Sequence, residues 1–179
     1  LAQTSESPSE AVAKLERAIF DYKLDGARIQ VHKRGDEVRV YTRALREVTP
    51  AVPEVAEALA AIPARELILD GEVLAVDAAG APHAFQTTMR RFGRKLDVAT
   101  QRKELPLLPY FFDCLYLDGQ SLIDTSSLER AEALAATVAS GNLIPRCVTG
   151  DAEEAEAFLD AALAAGHEGL VAKAPDAAY

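Results

Sequence analysis

Apolar residues recur along these 179 residues at two spacings, one helical and one of period two. In "SPSEAVAKLERAIF" Val12, Leu15 and Ile19 share one stripe, behind Ser7 as cap, Pro8 at the first position and Glu10 three residues after the cap. That pattern predicts a helix delivering the chain into "DYKLDG". In "ARIQVHKRGDEVRVYTR" the spacing falls to two. Ile29 and Val31, then Val38 and Val40, flank Arg34-Gly35-Asp36 and predict a β-hairpin with a glycine turn, so the RGD triplet reads as turn chemistry. "PEVAEALAAI" predicts a short helix with Val55, Leu59 and Ile62 on one side. "ELILDGEVLAVDAAGAP" predicts a buried strand ending in a loop, and "LPLLPYFFDCLYLDGQSL" another apolar strand closed by Asp118-Gly119. Two amphipathic helices follow, around Leu128 to Val138 and Asp151 to Ala165. The second has Asp151 and Glu154 as a capping box, a stripe of Ala155, Phe158, Leu159, Ala162 and Leu163, and Gly166 at its C-terminal cap. "HEGLVAK" predicts a last strand. Strands come in neighbouring pairs with helices outside them, so the expected class is α+β with mainly antiparallel sheets.

Composition narrows this further. A hydrophobic content of 49% suffices for one core, no run approaches the roughly 20 apolar residues of a membrane span, and the N-terminus lacks the regions of a signal peptide. A soluble, cytoplasmic chain without a membrane partner is expected. Cys114 and Cys147 lie far apart with no CxxC spacing, and His32, His83 and His167 are scattered, so neither set suggests a metal site. A net charge of −9 argues against nucleic-acid binding by bulk electrostatics. Locally, "MRRFGRK" places Arg90, Arg91, Arg94 and Lys95 around one aromatic ring, which either grips phosphates or forms a solvated helix face.

Polar residues also stand where apolar ones belong. Lys23 lies between Asp21 and Asp25, followed by Gly26 and Arg28. In "LILDGEVLAV" period two puts Asp70 and Glu72 on one face, roughly 7 Å apart, beside apolar neighbours that would not accept two carboxylates without a cation or ligand. Asp113 interrupts "PYFFDCLYL" and Glu168 opens "EGLVAK". Lys23 with Glu72 and Glu168 sketches an amine beside acids able to hold a divalent metal. A metal and nearby arginines disfavour the ammonium form, and a free amine can attack the α-phosphorus of a nucleoside triphosphate. Neither GxxxxGK[ST] nor GxGxxG is present.

The order "DYKLDGARIQVHK", "YTRALREVT", "LDGEVLAVD", "YFFDCLYLDG", "EGLVAK" strongly resembles the nucleotidyltransferase core of ATP-dependent DNA ligases, in their bacterial and archaeal branch. The resemblance runs from about Asp21 to the end of the chain. It implies an α+β nucleotidyltransferase (ATP-grasp-like) fold with Lys23 as the lysine that takes AMP. Arg28 would contact the nucleotide or nick phosphate, Arg43 the AMP and 5′-phosphate, Glu72 the ribose and metal, and Glu168 the metal. Phe112 would stack on adenine, and Asp21 stands where the family commonly has a glutamate beside the base. Lys173 on a regular strand faces away from Glu168. ATP and Mg²⁺ or Mn²⁺ are the implied cofactors, nicked double-stranded DNA the partner, touched in part by Arg90, Arg91, Arg94 and Lys95, and a monomer the expected state. The family's next motif, its OB-fold domain and its N-terminal DNA-binding domain are expected beyond residues 1–179, which would then form a partial adenylation domain. Two alternatives share the pattern: an RNA ligase or capping guanylyltransferase, and a DNA-binding module that keeps the fold without the reaction.

Overall fold

The computed structural model describes residues 5–77, 80–92 and 97–179. In chain order the elements are α1 (Pro8–Leu15), β1 (Ala18–Tyr22), β2 (Ala27–Arg34), β3 (Glu37–Thr42), α2 (Pro53–Ala60), β4 (Glu66–Ala75), α3 (Phe85–Phe92), α4 (Val98–Glu104), β5 (Leu107–Leu117), β6 (Gln120–Ser121), α5 (Ser127–Thr137), β7 (Arg146–Thr149), α6 (Ala152–Ala164) and β8 (Leu170–Lys173). They build two sheets, ordered β7-β1-β8 and β3-β2-β4-β5-β6, and every pairing between these strands is antiparallel. The α+β class expected from the paired strands is the one found. Among the described residues, no helix is long and apolar enough to cross a membrane.

The three-stranded sheet begins earlier than periodicity suggested. Helix α1 stops at Leu15, Glu16 adopts φ 58°, and Ile19 is a strand residue, not part of the helical stripe. Four successive residues of β1, Ala18 to Asp21, are buried, so the strand shows no alternation to read. Its Ala18 and Phe20 pack with Ala11, Val12 and Ala155 from the two flanking helices. The Ser7 cap accepts from the Glu10 amide as predicted. Asp151 caps α6 through the amides of Glu153 and Glu154, but the Glu154 carboxylate takes the Thr149 hydroxyl at 2.6 Å and closes no box. The reciprocal box lies instead at Ser126 and Glu129 on α5. Leu163, assigned to the apolar stripe of α6, is 51% exposed.

The larger sheet carries the main core. Val31, Leu69 and Phe111 on its inner face cluster with Leu59 of α2 and Leu134 of α5. Burying each contributes about 1.5–3 kcal/mol. Lys33 points the same way because its ammonium donates to carbonyls at the end of α2, Leu59 at 3.1 Å and also Ile62, where the helix dipole favours a cation.

Between β4 and β5 the register shifts twice, and the pairing skips Phe112 and Leu115. Such bulges re-aim a side chain locally. Ordinary strand alternation sends the adjacent phenylalanines opposite ways, Phe111 into the core at 0% exposure and Phe112 out of it. Gly71 allows the close approach, since a Cβ there would lie 2.7 Å from the Tyr110 carbonyl oxygen and 2.8 Å from the Phe111 ring.

Candidate active site

A pocket of about 220 Å³ lies between the two sheets. The smaller sheet contributes Asp21, Lys23 and Lys173; the larger contributes Arg28, Glu72 and Phe112. Lys23 follows the end of β1 directly. Its amide donates to the Gly169 carbonyl at 2.7 Å, its carbonyl accepts from the Glu168 amide at 3.2 Å, and its Nζ is ion-paired with the Glu168 carboxylate. The loop then turns tightly against β4. A Cβ on Gly26 would sit 2.4 Å from the Val73 carbonyl oxygen and 2.9 Å from Glu72 Cγ, so only glycine brings the lysine loop this close to the acid. Burial pushes the Glu72 carboxyl up to about 7, against the lowering influence of Arg28, the Gly26 amide and Lys23.

Arg28 stands opposite Glu72, and Gln30 opposite Asp70, in the β2–β4 register, which puts Asp70 and Glu72 on one face as period two required. Asp70 serves as a buried anchor. At 2% exposure it accepts from Arg28 at 2.7 Å, Gln30 at 3.1 Å and the Tyr179 hydroxyl at 2.6 Å. The anchored Arg28 guanidinium lies 5.3 Å from the Phe112 ring centroid, and Lys173 Nζ lies 5.1 Å from it. Asp113 is also structural, held by Arg130 at 2.8 Å.

Asp21, expected beside a base, lines the pocket. Its two oxygens hold Arg146 at 2.5 and 2.8 Å, and Lys173 approaches one of them at 2.7 Å. Its carboxylate is therefore already occupied by two cations. Lys173, expected on a regular strand to face away from Glu168, lines this pocket together with Val171 of β8, whereas Glu168, which precedes β8, does not. Arg146 had no sequence signal, since β7 is only four residues long.

Arg43 is exposed on the turn after β3 and does not line the pocket. Arg90 is exposed on α3. Arg91 corrects an expectation. It is 1% exposed, paired with Glu54 at 2.8 Å and bonded to the Ala51 carbonyl at 2.9 Å, so it joins α3 to the 3₁₀ turn (Thr49–Ala51) and α2 and is not available to a DNA phosphate. Arg94 and Lys95 lie outside the described residues. Among the described residues, no three His, Cys, Asp or Glu side chains are grouped to hold a metal.

Two antiparallel sheets flanked by helices, closing on a lysine loop, make this a nucleotidyltransferase-type domain. The chain belongs to the ATP-dependent DNA ligase domain family, whose model matches residues 1–179. It is 56% identical over 179 residues to a probable DNA ligase of Anaeromyxobacter sp. (strain Fw109-5), covering 100% of this chain and 34% of that protein. The chain thus spans about a third of the length of the curated relatives it matches. Among solved structures it resembles the ligase domain of M. tuberculosis LigD, with a TM-score of 0.70 and 29% identity over 98% of this chain and 54% of that one. It also resembles a mycobacterial DNA ligase D complexed with ATP and MES, with a TM-score of 0.67 and 29% identity over 91% and 50% of the two chains.

Proposed function

We propose that this chain carries the adenylation chemistry of an ATP-dependent DNA ligase, with Lys23 as the nucleophile. Lys23 Nζ, as the free amine, forms a bond to the α-phosphorus of ATP; the bond to the β-phosphate oxygen breaks, pyrophosphate leaves with its electron pair, and the amine sheds a proton. AMP then passes from the lysine to the 5′-phosphate at a nick. The 3′-hydroxyl displaces AMP and seals the strand. All three are phosphoryl transfers, in which positioning and charge neutralisation do most of the catalysis.

The observation that carries this reading is the position of Lys23. It stands at one side of a pocket whose other walls are an aromatic ring, an anchored arginine and a partly buried carboxyl. Phe112 offers a flat face to adenine, and Arg28, fixed by Asp70, offers a guanidinium to phosphate. Glu168, ion-paired with Lys23, and Glu72, in the same pocket as Lys23, are carboxylates of the kind a hard divalent cation takes, one or two at a time, with substrate phosphates and water completing its shell. Such a cation would neutralise charge developing on the phosphates and disfavour the ammonium form of Lys23. Arg43 and Arg90, both exposed, are assigned to the nicked duplex.

The test is a chimaera in which this chain replaces the matching third of the Anaeromyxobacter relative. It should take label from ATP and seal nicked duplex, and Lys23→Ala should abolish both. Sealing that survives Lys23→Ala would overturn the proposal, as would labelling by GTP in preference to ATP.

A further inference from the structure

Arg146 sits where the two sheets meet. From β7 its guanidinium donates to both oxygens of Asp21 on β1, and Nη2 also donates to the Phe112 carbonyl on β5 at 2.7 Å. The first contact stays within the three-stranded sheet; the second crosses to the five-stranded one. With Asp21 at 2% and Arg146 at 16% side-chain exposure, these charge-assisted bonds act in a poorly solvated setting, where they are strong. The carbonyl is open to Arg146 because Phe112 is a residue that the β4–β5 pairing skips. Strand alternation points the Phe112 ring into the pocket. One guanidinium therefore ties down the backbone of the residue whose ring forms the pocket wall.

We propose that Arg146 is a positioning residue that fixes the height of the Phe112 ring over β1, and so the width of the slot that receives the nucleotide base; this rests on the nucleotide reading of the pocket. Arg146 does not line the pocket and reaches the base only through Phe112. A lysine at this position would keep a cation on Asp21, but it has no planar fork with which to hold Asp21 and the Phe112 carbonyl together. Lys173 also stays on Asp21, so Arg146→Lys leaves no buried carboxylate unpaired and the chain folds.

The experiment, in the same chimaera, compares the wild-type chain, Arg146→Lys, Phe112→Ala and the double variant by calorimetric ATP affinity and by the rate of AMP labelling against ATP concentration. Arg146→Lys should melt close to wild type, raise the half-saturating ATP concentration about tenfold and change the limiting rate by less than about threefold. In the Phe112→Ala background the same substitution should change ATP affinity by less than about twofold, because the ring it positions is gone. An unchanged half-saturation in Arg146→Lys, or an equal loss in both backgrounds, overturns the inference. A wild-type chain that binds ATP without acquiring AMP overturns the lysyl-AMP reading alone, and the affinity comparison still decides the role of Arg146. Failure of the wild-type chain to bind ATP overturns both.

Discussion

Two ionic contacts border the same pocket and behave as opposites. Lys23 and Glu168 keep 52% and 43% of their side chains exposed, whereas Asp21 is 2% exposed and holds both Arg146 and Lys173. An exposed pair contributes at most about 1 kcal/mol and exchanges partners readily. A buried pair is costly to break, because removing one partner strands the other charge. The lysine proposed as nucleophile thus sits in the pair that can be given up, and the frame around it rests on the pair that cannot. Chemistry and scaffold are separated within a few residues of one strand, since Asp21 and Lys23 are two positions apart.

The largest expected effect comes from breaking the exposed side. Lys23→Arg keeps a cation beside Glu168 but removes the proposed nucleophile, because a guanidinium stays protonated. AMP attachment should fall by on the order of a thousandfold or more while the melting temperature stays near wild type. Covalent AMP on the Lys23→Arg chain would show that the nucleophile is another residue.

Breaking the buried side should do the reverse. Asp21→Ala leaves Arg146 and Lys173 without their shared carboxylate and is expected to cost about 3–5 kcal/mol in denaturant-induced unfolding. A loss below about 1 kcal/mol would mean that the network does not frame the pocket.

Phe112 sharpens the contrast between the two phenylalanines of the bulge. Phe112→Ala should weaken ATP binding by about 1–3 kcal/mol with little loss of fold stability, and Phe112→Tyr should be milder. Phe111→Ala should instead cost about 3–5 kcal/mol of stability, as for a buried ring. Unchanged ATP affinity in Phe112→Ala would place that ring outside the nucleotide site.

The smallest effect is a pH dependence. In the folded chain Glu72 ionises near 7 and in the unfolded chain near its usual 4.5, so the shift is upward and chiefly due to burial. Between those values the unfolded chain releases a proton that the folded chain retains, and stability falls as pH rises. In metal-free buffer Glu72→Gln should leave stability unchanged at pH 4 and raise it by about 1–2 kcal/mol at pH 8. An equal effect at both pH values would deny the partial burial of this carboxyl.

Local periodicity made much of the larger sheet legible: the β2–β3 hairpin, the shared face of Asp70 and Glu72, and α2 all follow from spacing alone. The smaller sheet was harder, because β1 is buried on both faces and β7 has four residues. Lys23, Glu72 and Phe112, which line the pocket, were marked as candidates by residues within their own motifs. Arg146 was not, because its partner Asp21 lies 125 positions away and no local pattern marks such a pair. Lys173 was set aside because the site was drawn around Glu168, which precedes β8 and does not line the pocket. Arg91 failed differently: a run of cations reads as one surface, yet one of its members faces the interior to meet Glu54.

The central claim is that Lys23 alone among the lysines becomes attached to AMP. Incubating the chimaera, in which this chain replaces the matching third of the Anaeromyxobacter relative, with ATP and a divalent cation, digesting it and mapping the modified peptide by mass spectrometry tests that claim directly. The prediction is a single adduct on the peptide containing Lys23. An adduct on Lys33 or Lys173, or ATP binding with no adduct on any lysine, would contradict it.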